Sequence, residues 1–290
     1  MEEILKYFYE SKNLVEKKLQ EYMSNENSLL KVLQESINYT LFSGGKRIRP
    51  LFCFVVGDLF SVPRERLISL ACALEMIHTA SLIMDDLPHM DNASTRRGKP
   101  ANHLIYGQDV AALASIGLLT RAYEVVLEDP ELPGDKKAKV VSKLANVVGI
   151  RGLVGGQFVD LKFANKSMDY ATLDYIHTHK TAALFVASGI TAAIIGGAKD
   201  SEIEALEKYA NNLGFAFQIV DDLLDAVGDT GEAGKPVNRD NGNFVTLYGV
   251  DKSRSIAQDC ANKAIEAIQI FQGKNDKLIA LGQMLLKRKS

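Results

Sequence analysis

Proline placement is the feature that most restricts the fold of this 290-residue chain. All seven prolines lie at or near plausible helix boundaries, and none occurs between positions 134 and 235. A β-rich fold needs turn residues at short intervals, so this proline-free stretch favours helices. Apolar residues also recur at helical spacing, as in Leu29, Val32, Leu33 and Ile37. We therefore predict an all-α fold.

The periodicity divides most of the chain into helices of roughly 12–25 residues. No Gly-, Ser- or Pro-rich linker separates them, so we predict one domain over residues 1–290, a bundle of roughly ten or more helices. The uncharged run Ala182–Ala198 is slightly too short for a membrane span and is interpreted as a buried helix. The predicted helices cover about 2–22, 27–42, 50–61, 64–86, 108–128, 135–148, 150–164, 170–197, 201–213, 215–227, 252–271 and 275–288.

Charge and cysteine content exclude several classes of protein. The chain has 34 basic and 36 acidic residues, and this balance offers no bulk attraction for nucleic acid. Cys53, Cys72 and Cys260 are far apart and in no metal-binding spacing, so neither a disulfide framework nor a zinc site is indicated. The N-terminus lacks the basic and apolar regions of a signal peptide. We expect a cytoplasmic protein with no transmembrane span.

Two apolar helices each end in a pair of aspartates, with a third carboxylate further on. Pro88 should interrupt the first helix, so that the chain returns Asp91 towards Asp85. Asp221 and Asp225 share one helix face, where like charges repel unless a cation lies between them. Hard carboxylate oxygens suit Mg²⁺ rather than zinc. The six residues are Asp85, Asp86 and Asp91 in SLIMDDLPHMD (81–91) and Asp221, Asp222 and Asp225 in FQIVDDLLD (217–225).

A Mg²⁺-bound polyphosphate also needs cations, and three stretches supply them. The segment GGKRIRP (44–50) packs three positive charges between two glycines and a proline. Arg96-Arg97 follows the first acidic cluster and Gly234-Lys235 follows the second, and neither lysine-bearing segment is a Walker loop. His78 lies on the helix that leads to Asp85, and it fits a satisfied core histidine as well as a phosphate donor.

These residues resemble the trans-isoprenyl diphosphate synthases, the family that includes farnesyl and geranylgeranyl diphosphate synthases. The resemblance covers nearly the whole chain and includes GGQFVD (155–160), HKT (179–181) and GDTGEAGKP (228–236). It implies the isoprenoid synthase fold, with the helices around a central apolar cavity, and a homodimer. The implied enzyme is a prenyltransferase that condenses isopentenyl diphosphate with a C5, C10 or C15 allylic diphosphate and releases diphosphate.

The resemblance also implies roles for individual residues. Three Mg²⁺ ions around the allylic diphosphate would be held by Asp85, Asp86, Asp91, Asp221 and Asp225. The diphosphate of isopentenyl diphosphate would be held by Lys46, Arg49, His78 and Arg97. Catalytic contacts to the allylic substrate are expected from Lys180, Thr181, Gln218, Arg96 and Lys235. Gln157 and Asp160 would support the site.

The resemblance further implies that product length depends on the residues one and two turns before Asp85. A large aromatic commonly stands at the place of Ala80 or Ser81 in relatives that stop at farnesyl diphosphate, and both are small here. With Ile77 two turns deeper, and about 5.4 Å per turn, these three residues are the expected chain-length pocket. The expected product is geranylgeranyl diphosphate (C20), and the alternative is farnesyl diphosphate (C15).

Two departures from the family pattern, and two other functions, bear on this interpretation. Residues 241–246 read NGNFVT where relatives usually carry Gly-Lys-x-Thr, and Ile116 replaces a usual aspartate. A terpene cyclase would also use Mg²⁺ in a helical fold, but it usually lacks GGKRIRP. A noncatalytic partner subunit should have lost aspartates, and all six remain.

Overall fold

Helices dominate the computed structural model, which describes residues 2–24, 27–164, 166, 168–227 and 243–286. Short 3₁₀ turns at Ser28–Leu30, Arg64–Arg66 and Ile268–Phe271 precede or extend three of the helices. The helices are α1 (Glu2–Tyr22), α2 (Lys31–Leu41), α3 (Ile48–Leu59), α4 (Ile68–Asp85), α5 (Asn102–Tyr106), α6 (Gln108–Leu127), α7 (Gly134–Val148), α8 (Leu153–Phe163), α9 (Tyr170–Ile176), α10 (Ala183–Gly196), α11 (Asp200–Val227), α12 (Phe244–Tyr248), α13 (Val250–Ala267) and α14 (Asp276–Leu286). The all-α prediction is confirmed.

The described residues also contain one small β-hairpin. Strands β1 (Thr95–Arg96) and β2 (Lys99–Pro100) pair antiparallel, with Arg96 opposite Lys99. Arg97 and Gly98 between them both have positive φ, as a two-residue turn requires. The hairpin lies in the polar segment that follows the first acidic cluster, and it positions the two arginines.

Contacts within the chain define two units, and unit 1 comprises Met1–Lys143 with Ile194–Gly196. In this unit α4 packs against α6, α3, α1 and α2. Almost every residue of α4 from Ser69 to Ile83 is buried, because its sequence is apolar on all sides. Helix α1 instead buries one stripe, which includes Tyr7, Val15 and Leu19. Helix α4 therefore runs through the unit as a core helix and carries the first acidic cluster at its end.

Unit 2 comprises Leu144–Ala193 and Gly197–Ser290. Its long helix α11 packs against α13, α12 and α14. Leu173, Ile219 and Phe244 form the centre of a hydrophobic cluster there, and the buried Tyr209 hydroxyl donates to the carbonyl oxygen of Leu278 at 2.6 Å. The second acidic cluster lies in this unit. That the two units form one domain stays a prediction.

Two predicted helix boundaries were wrong because packing overrides local preference. Helix α11 continues through Gly214, where two helices were predicted. A Cβ on Gly214 would lie 3.2 Å from the Cβ of Ala182, so the glycine allows close packing although it costs about 1 kcal/mol in a helix. The predicted helix 170–197 is divided by a π-helical segment, His177–Ala182.

Three helices of the described chain are long and apolar enough to cross a membrane, judged by length and composition alone. These are α4, α6 and the stretch Tyr170–Gly196, and their most apolar windows are 67%, 39% and 61% buried inside the protein. The run interpreted as a buried helix is indeed buried from Leu184 to Ala193. Helix α6 differs because Leu113 and Ile116 are 58% and 53% exposed.

Candidate active site

The first acidic cluster forms where α4 ends at Asp85. Beyond Pro88, the amide of Asp91 donates to the carbonyl oxygen of Asp85 at 2.9 Å. The amide of Asn92, which has a positive φ, donates to the carbonyl oxygen of Leu87 at 3.1 Å. These bonds close the chain into a compact turn, and the predicted return of Asp91 towards Asp85 is confirmed.

Asp86 differs from its neighbours because it is only 1% exposed. The Nε–H of Arg96 donates to both of its carboxylate oxygens, at 3.0 and 3.2 Å, and the Nη2 group donates to Oδ1 as well. This hydrogen-bonded carboxylate is the main cause of the raised pKa of Arg96, and Asp85 and Asp91 add to it. The pair fixes the β1–β2 hairpin to the end of α4. The predicted metal role of Asp86 and substrate role of Arg96 stay predictions.

A second group in unit 1 is cationic. The Nη1 group of Arg97 donates to the carbonyl oxygen of Gly44 and to Ser43 Oγ, the latter at 3.3 Å. A Cβ on Gly45, whose φ is +133°, would lie 3.3 Å from the Arg97 guanidinium carbon. The paired glycines therefore let this arginine lie directly on the backbone turn that carries Lys46, which is exposed.

Electrostatics connect Arg97 with His78 and Arg49. Burial and then the positive charges of Arg49 and Arg97 hold the pKa of His78 well below its usual value. Burial, with a contribution from Arg97, also lowers the pKa of Arg49, although Glu75 opposes the shift. The Nε–H of Arg49 is buried with no hydrogen-bond partner in the described part of the chain. His78, Arg49 and Arg97, three of the four residues predicted to hold a diphosphate, therefore share one environment. A bound anion would stabilise cations that are grouped in this way.

Arg47 does not contribute to that cationic group. It is 2% exposed, has a left-handed φ of 51°, and points into the core of unit 1. Its guanidinium donates to Glu16 at 2.8 Å, to Glu75 at 2.7 Å and to the carbonyl oxygen of Leu41 at 2.6 Å. The interpretation of GGKRIRP as three charges for an anion was wrong in this respect. The middle charge anchors the loop, because a buried guanidinium needs carboxylate partners.

The residues predicted for the chain-length pocket lie on the part of α4 that precedes Asp85. Ile77 and Ala80 are 1% and 3% exposed, and Ser81 is half-buried. The Ser81 hydroxyl donates to the carbonyl oxygen of His78 at 2.9 Å. Ser115 of α6 donates to the carbonyl oxygen of Ala80 at 2.7 Å, which holds α6 against this turn. Their role in product length stays a prediction.

In unit 2 the HKT segment lies on the π-helical turn. Such turns often occur at functional sites, because the wider ring projects residues that a regular helix would bury. A Cβ on Gly156 of α8 would lie 2.5 Å from the backbone nitrogen of Lys180, so only glycine permits this approach. The Lys180 ammonium pairs with Asp160 at 2.5 Å. Thr181 is half-buried on the same turn, and Gln157 lies three residues before Asp160 on α8.

The second acidic cluster and Gln218 lie on the last part of α11. Asp222 is 7% exposed and accepts from Gln218 Nε2 at 3.1 Å and from the amide of Phe244 at 3.0 Å. Asp221 is half-buried, and the side chain of Asp225 lies outside the described residues, as does Lys235. The sequence at 241–246, which departs from the family pattern, is explained in part by local structure. Asn243 and Thr246 form a capping box at the start of α12.

His177 is a polar residue of this region that the sequence did not single out. It is 8% exposed, its ring stacks on Phe244 at 5.2 Å, and neither ring nitrogen has a hydrogen-bond partner among the described residues. Burial, with a contribution from Lys180, lowers its pKa to about 4. No motif sets His177 apart in the sequence, where residues 177–181 read HTHKT.

The donor chemistry of unit 1 fits Mg²⁺. No group of three or more His, Cys, Asp or Glu side chains arranged for a metal occurs in the described part of the chain. Magnesium does not need such a cage, because it usually takes one or two carboxylates and completes its shell with phosphate oxygens and water. Asp85 and the exposed Asp91, joined by the turn between them, can supply those carboxylates.

Comparisons with known proteins agree with one another. A family model described as polyprenyl synthetase matches residues 30–277. A geranylgeranyl diphosphate synthase from Cyanophora paradoxa is 41% identical over 291 residues, covering 98% of this chain and 96% of its own. A chloroplastic geranylgeranyl pyrophosphate synthase from Arabidopsis thaliana is 42% identical over 88% of this chain and 74% of its own. The structure of an FPP/GFPP synthase from Zymomonas mobilis matches with a TM-score of 0.89 at 31% identity, over 98% of this chain and 99% of that chain.

Proposed function

Because this chain belongs to the polyprenyl synthetase family, we propose that it is a short-chain trans-prenyltransferase acting on isopentenyl diphosphate and an allylic diphosphate. The allylic C1–O bond breaks and its electron pair leaves with diphosphate. The isopentenyl double bond then attacks C1 to form the new carbon–carbon bond, and a proton is lost from the adjacent carbon to the released diphosphate. The enzyme's contribution is positioning and electrostatic stabilisation, so no protein base is required.

The arrangement along α4 is the observation that carries this proposal. His78 and Asp85 are seven residues apart, which places them on one face of the helix about 10.5 Å apart along its axis. The cationic group around His78 and the acidic turn after Asp85 therefore follow one another on a single surface. This suits two diphosphates bound side by side, one held by cations of the protein and the other held by Mg²⁺ bound to the carboxylates.

We assign the isopentenyl diphosphate to the cationic group of Lys46, Arg49, His78 and Arg97. The buried Nε–H of Arg49 would gain a phosphate oxygen as its acceptor. His78 is neutral at pH 7 because its pKa is lowered, so it can donate one N–H to the same anion without adding a charge. An anion here offsets the repulsion among the arginines and binds tightly without a metal.

Asp85 and Asp91 are the residues of unit 1 that we propose as Mg²⁺ ligands. The metal would supply positive charge to the departing diphosphate and so lower the barrier to ionisation. Asp86 would act by holding Arg96 beside that diphosphate. In unit 2 we propose Asp221 and Asp225 as ligands of metal bound to an allylic diphosphate, with charge from Lys235.

Lys180, Thr181 and Gln218 are proposed to face the allylic cation. The π-helical turn supports this for the first two, because it leaves backbone groups outside the regular hydrogen-bond pattern. Oxygen atoms directed at the carbon that gains positive charge stabilise the transition state more than the ground state. Asp160 holds the Lys180 ammonium by their ion pair and so orients this turn.

Geranylgeranyl diphosphate is the proposed product, with farnesyl diphosphate as the alternative. The small residues Ala80 and Ser81 support the longer chain, because no aromatic ring blocks the turn before Asp85. The names of the two curated relatives described above also support C20. A product that stopped at C15 would show that another residue forms the end of the pocket.

A homodimer is proposed from the exposed face of α6. Leu113, Ile116 and Leu127 are 49–58% exposed on a helix whose other sides pack on α4, α2 and α5. Apolar side chains grouped on one helix face commonly mark a protein interface. The double change Leu113→Asp with Ile116→Asp should shift the mass measured by light scattering from dimer to monomer. The double change Asn13→Asp with Gln20→Asp, at exposed polar positions of α1, should have less effect.

We also propose a cytoplasmic enzyme that needs neither membrane nor nucleic acid. The near-neutral charge balance supports the absence of nucleic-acid binding. The burial of most of α4 and of the Tyr170–Gly196 stretch supports their role as core helices. Recovery of the protein in the pellet with membranes after mild cell lysis would contradict this proposal.

The proposed function is tested by incubating the purified chain with isopentenyl diphosphate and C5, C10 or C15 allylic primers, with Mg²⁺ or with EDTA, and measuring product length. We expect C20 product that depends on Mg²⁺. Arg97→Gln should raise KM for isopentenyl diphosphate more than KM for the primer, whereas Asp85→Asn should lower kcat and weaken Mg²⁺ activation.

Other outcomes of that assay identify the competing functions. Turnover of the allylic primer without isopentenyl diphosphate would indicate a terpene cyclase. Activity that appears only after a second protein is added would indicate a noncatalytic partner subunit. Absence of Mg²⁺-dependent diphosphate binding would exclude both enzymatic interpretations, the prenyltransferase and the terpene cyclase.

A further inference from the structure

Asp222 occupies an unusual position in the second acidic cluster, because it is buried while carrying a formal charge. Its Oδ1 atom accepts from Gln218 Nε2 at 3.1 Å, and its Oδ2 atom accepts from the amide of Phe244 at 3.0 Å. The two donors come from different directions, one from the preceding turn of α11 and one from the first residue of α12. Both carboxylate oxygens therefore bind protein donors.

The bond to Gln218 fixes which end of its amide is presented to the site. A planar amide holds its oxygen and its nitrogen on opposite sides of one carbon. Once Nε2 is bonded to Asp222, Oε1 is the atom directed away from that carboxylate. A reacting carbon that gains positive charge is stabilised by the oxygen and destabilised by the NH₂ group.

We propose that Asp222 is a positioning residue for prenyl transfer, which orients Gln218 so that its amide oxygen and not its nitrogen faces the allylic cation. This inference rests on the proposed function, since it assumes that Gln218 faces that cation. It assigns the second aspartate of the DD pair a task different from that of the proposed metal ligand Asp221. A metal at Asp222 would have to share a buried oxygen that already accepts from the Gln218 amide or from the Phe244 backbone N–H.

The second bond of Asp222 explains why the carboxylate cannot turn away. The Phe244 amide is at the start of α12, where a helix leaves its N–H groups without partners. The carbonyl oxygen of Phe244 in turn accepts from Ser253 Oγ of α13 at 3.0 Å. Asp222 thus belongs to a chain of bonds that joins α11, α12 and α13, and its orientation is held from both sides.

The variant Asp222→Asn tests positioning apart from folding, because the two side chains have the same shape. The Phe244 amide cannot flip, so the one oxygen of the introduced asparagine must accept from it. The NH₂ group of that asparagine then faces Gln218, whose amide turns over to offer Oε1 and presents its own NH₂ group to the substrate. We expect kcat to fall about 100-fold, with KM for both substrates and Mg²⁺ activation nearly unchanged.

The double variant Gln218→Glu with Asp222→Asn is the matched rescue. One oxygen of the introduced glutamate accepts from the introduced asparagine, and the other oxygen again faces the substrate. We expect the double variant to recover most of the lost kcat. Gln218→Glu alone should be poorly active, because it places two carboxylates against each other.

A measurement without substrate tests the hydrogen bond itself. In ligand-free protein labelled with [¹⁵N]glutamine, the Gln218 side-chain NH₂ signal is assigned by its loss in Gln218→Leu. We expect slow hydrogen exchange for this group in the wild type and faster exchange with a clear shift in Asp222→Asn. Asp221→Asn is the control and should leave the signal bonded while weakening Mg²⁺ activation.

The results that would overturn the proposal are distinct from failure of the proposed function. If wild-type protein transfers prenyl groups and Asp222→Asn retains its kcat, Asp222 does not position Gln218. If Asp222→Asn weakens Mg²⁺ activation as Asp221→Asn does, Asp222 is a metal ligand and the proposal is wrong. If wild-type protein transfers no prenyl group, the proposed function itself fails, whatever the NMR signal shows.

Discussion

Gly156→Ala should slow prenyl transfer without abolishing the fold. The added Cβ would lie 2.5 Å from the backbone nitrogen of Lys180 and 2.9 Å from its Cα, so α8 and the π-helical turn must separate by about 0.9 Å to reach ordinary contact. Backbone atoms cannot rotate away, and forced separation of packed elements costs about 1–3 kcal/mol of stability. A shift of about 1 Å in a catalytic group can lower the rate about 100-fold, which corresponds to about 2.7 kcal/mol in the barrier.

The assay compares kcat, KM and the denaturant midpoint of three proteins under the same conditions. Gly156→Ala should lower kcat about 100-fold and leave KM for isopentenyl diphosphate unchanged, because the cationic group belongs to unit 1. Gly214→Ala is the matched control, since its Cβ would meet only Ala182 of the same turn, with the closest approach 3.2 Å from the Ala182 Cβ. Wild-type kcat in Gly156→Ala would refute the reasoning, as would an equal loss in Gly214→Ala.

Three further predictions address product length, the buried ion pairs and pH. Ala80→Phe should shorten the product from C20 to C15, and an unchanged product in a variant with a native circular dichroism spectrum would contradict the pocket assignment. Arg47→Met should lower the free energy of unfolding, measured by urea titration, by about 3–5 kcal/mol, because Glu75 is left buried and unpaired. The double variant Arg47→Met with Glu75→Leu should recover part of that free energy. For His177, the unfolded chain takes up a proton as pH falls below 6.5 whereas the folded chain does so only near pH 4, so wild-type stability should drop across this window by about 3 kcal/mol. In His177→Phe most of that loss of stability should be absent. If the stability of the variant fell with pH as much as that of the wild type, other groups would be its cause.

Much of the helical framework was predictable from local sequence. Helix α1 begins and ends where the periodicity places it, and α6 and α7 agree within a residue. Amphipathic spacing and proline exclusion act over a few turns, so they can be identified without tertiary information. The failures occurred where distant packing decides, as at Gly214 and in the π-helical segment His177–Ala182.

The candidate site was predictable as a set of residue types and much less as a set of roles. His78, Arg49 and Arg97 share a cationic environment, as the sequence predicted. The prediction was possible because a glycine pair followed by closely spaced basic residues favours binding of an anion. Asp86 and Asp222 could not be told from their neighbours by sequence. Each follows an aspartate directly, and a side chain one position along a helix turns by about 100°. Which of the two faces a buried donor depends on residues ten to twenty-two positions away.

The sequence by itself determined the helical class, the two acidic helix ends and the membership in a prenyltransferase family. Those features depend on periodicity, on short motifs and on composition, which survive any detail of packing. Only the tertiary structure decided that Arg47 anchors a loop while Arg49 and Arg97 share the environment of His78, and that Gly156 supports the turn of Lys180. The physical reason is that a buried charge or a close backbone contact is stable only with a particular partner, and folding brings that partner from a distant part of the chain.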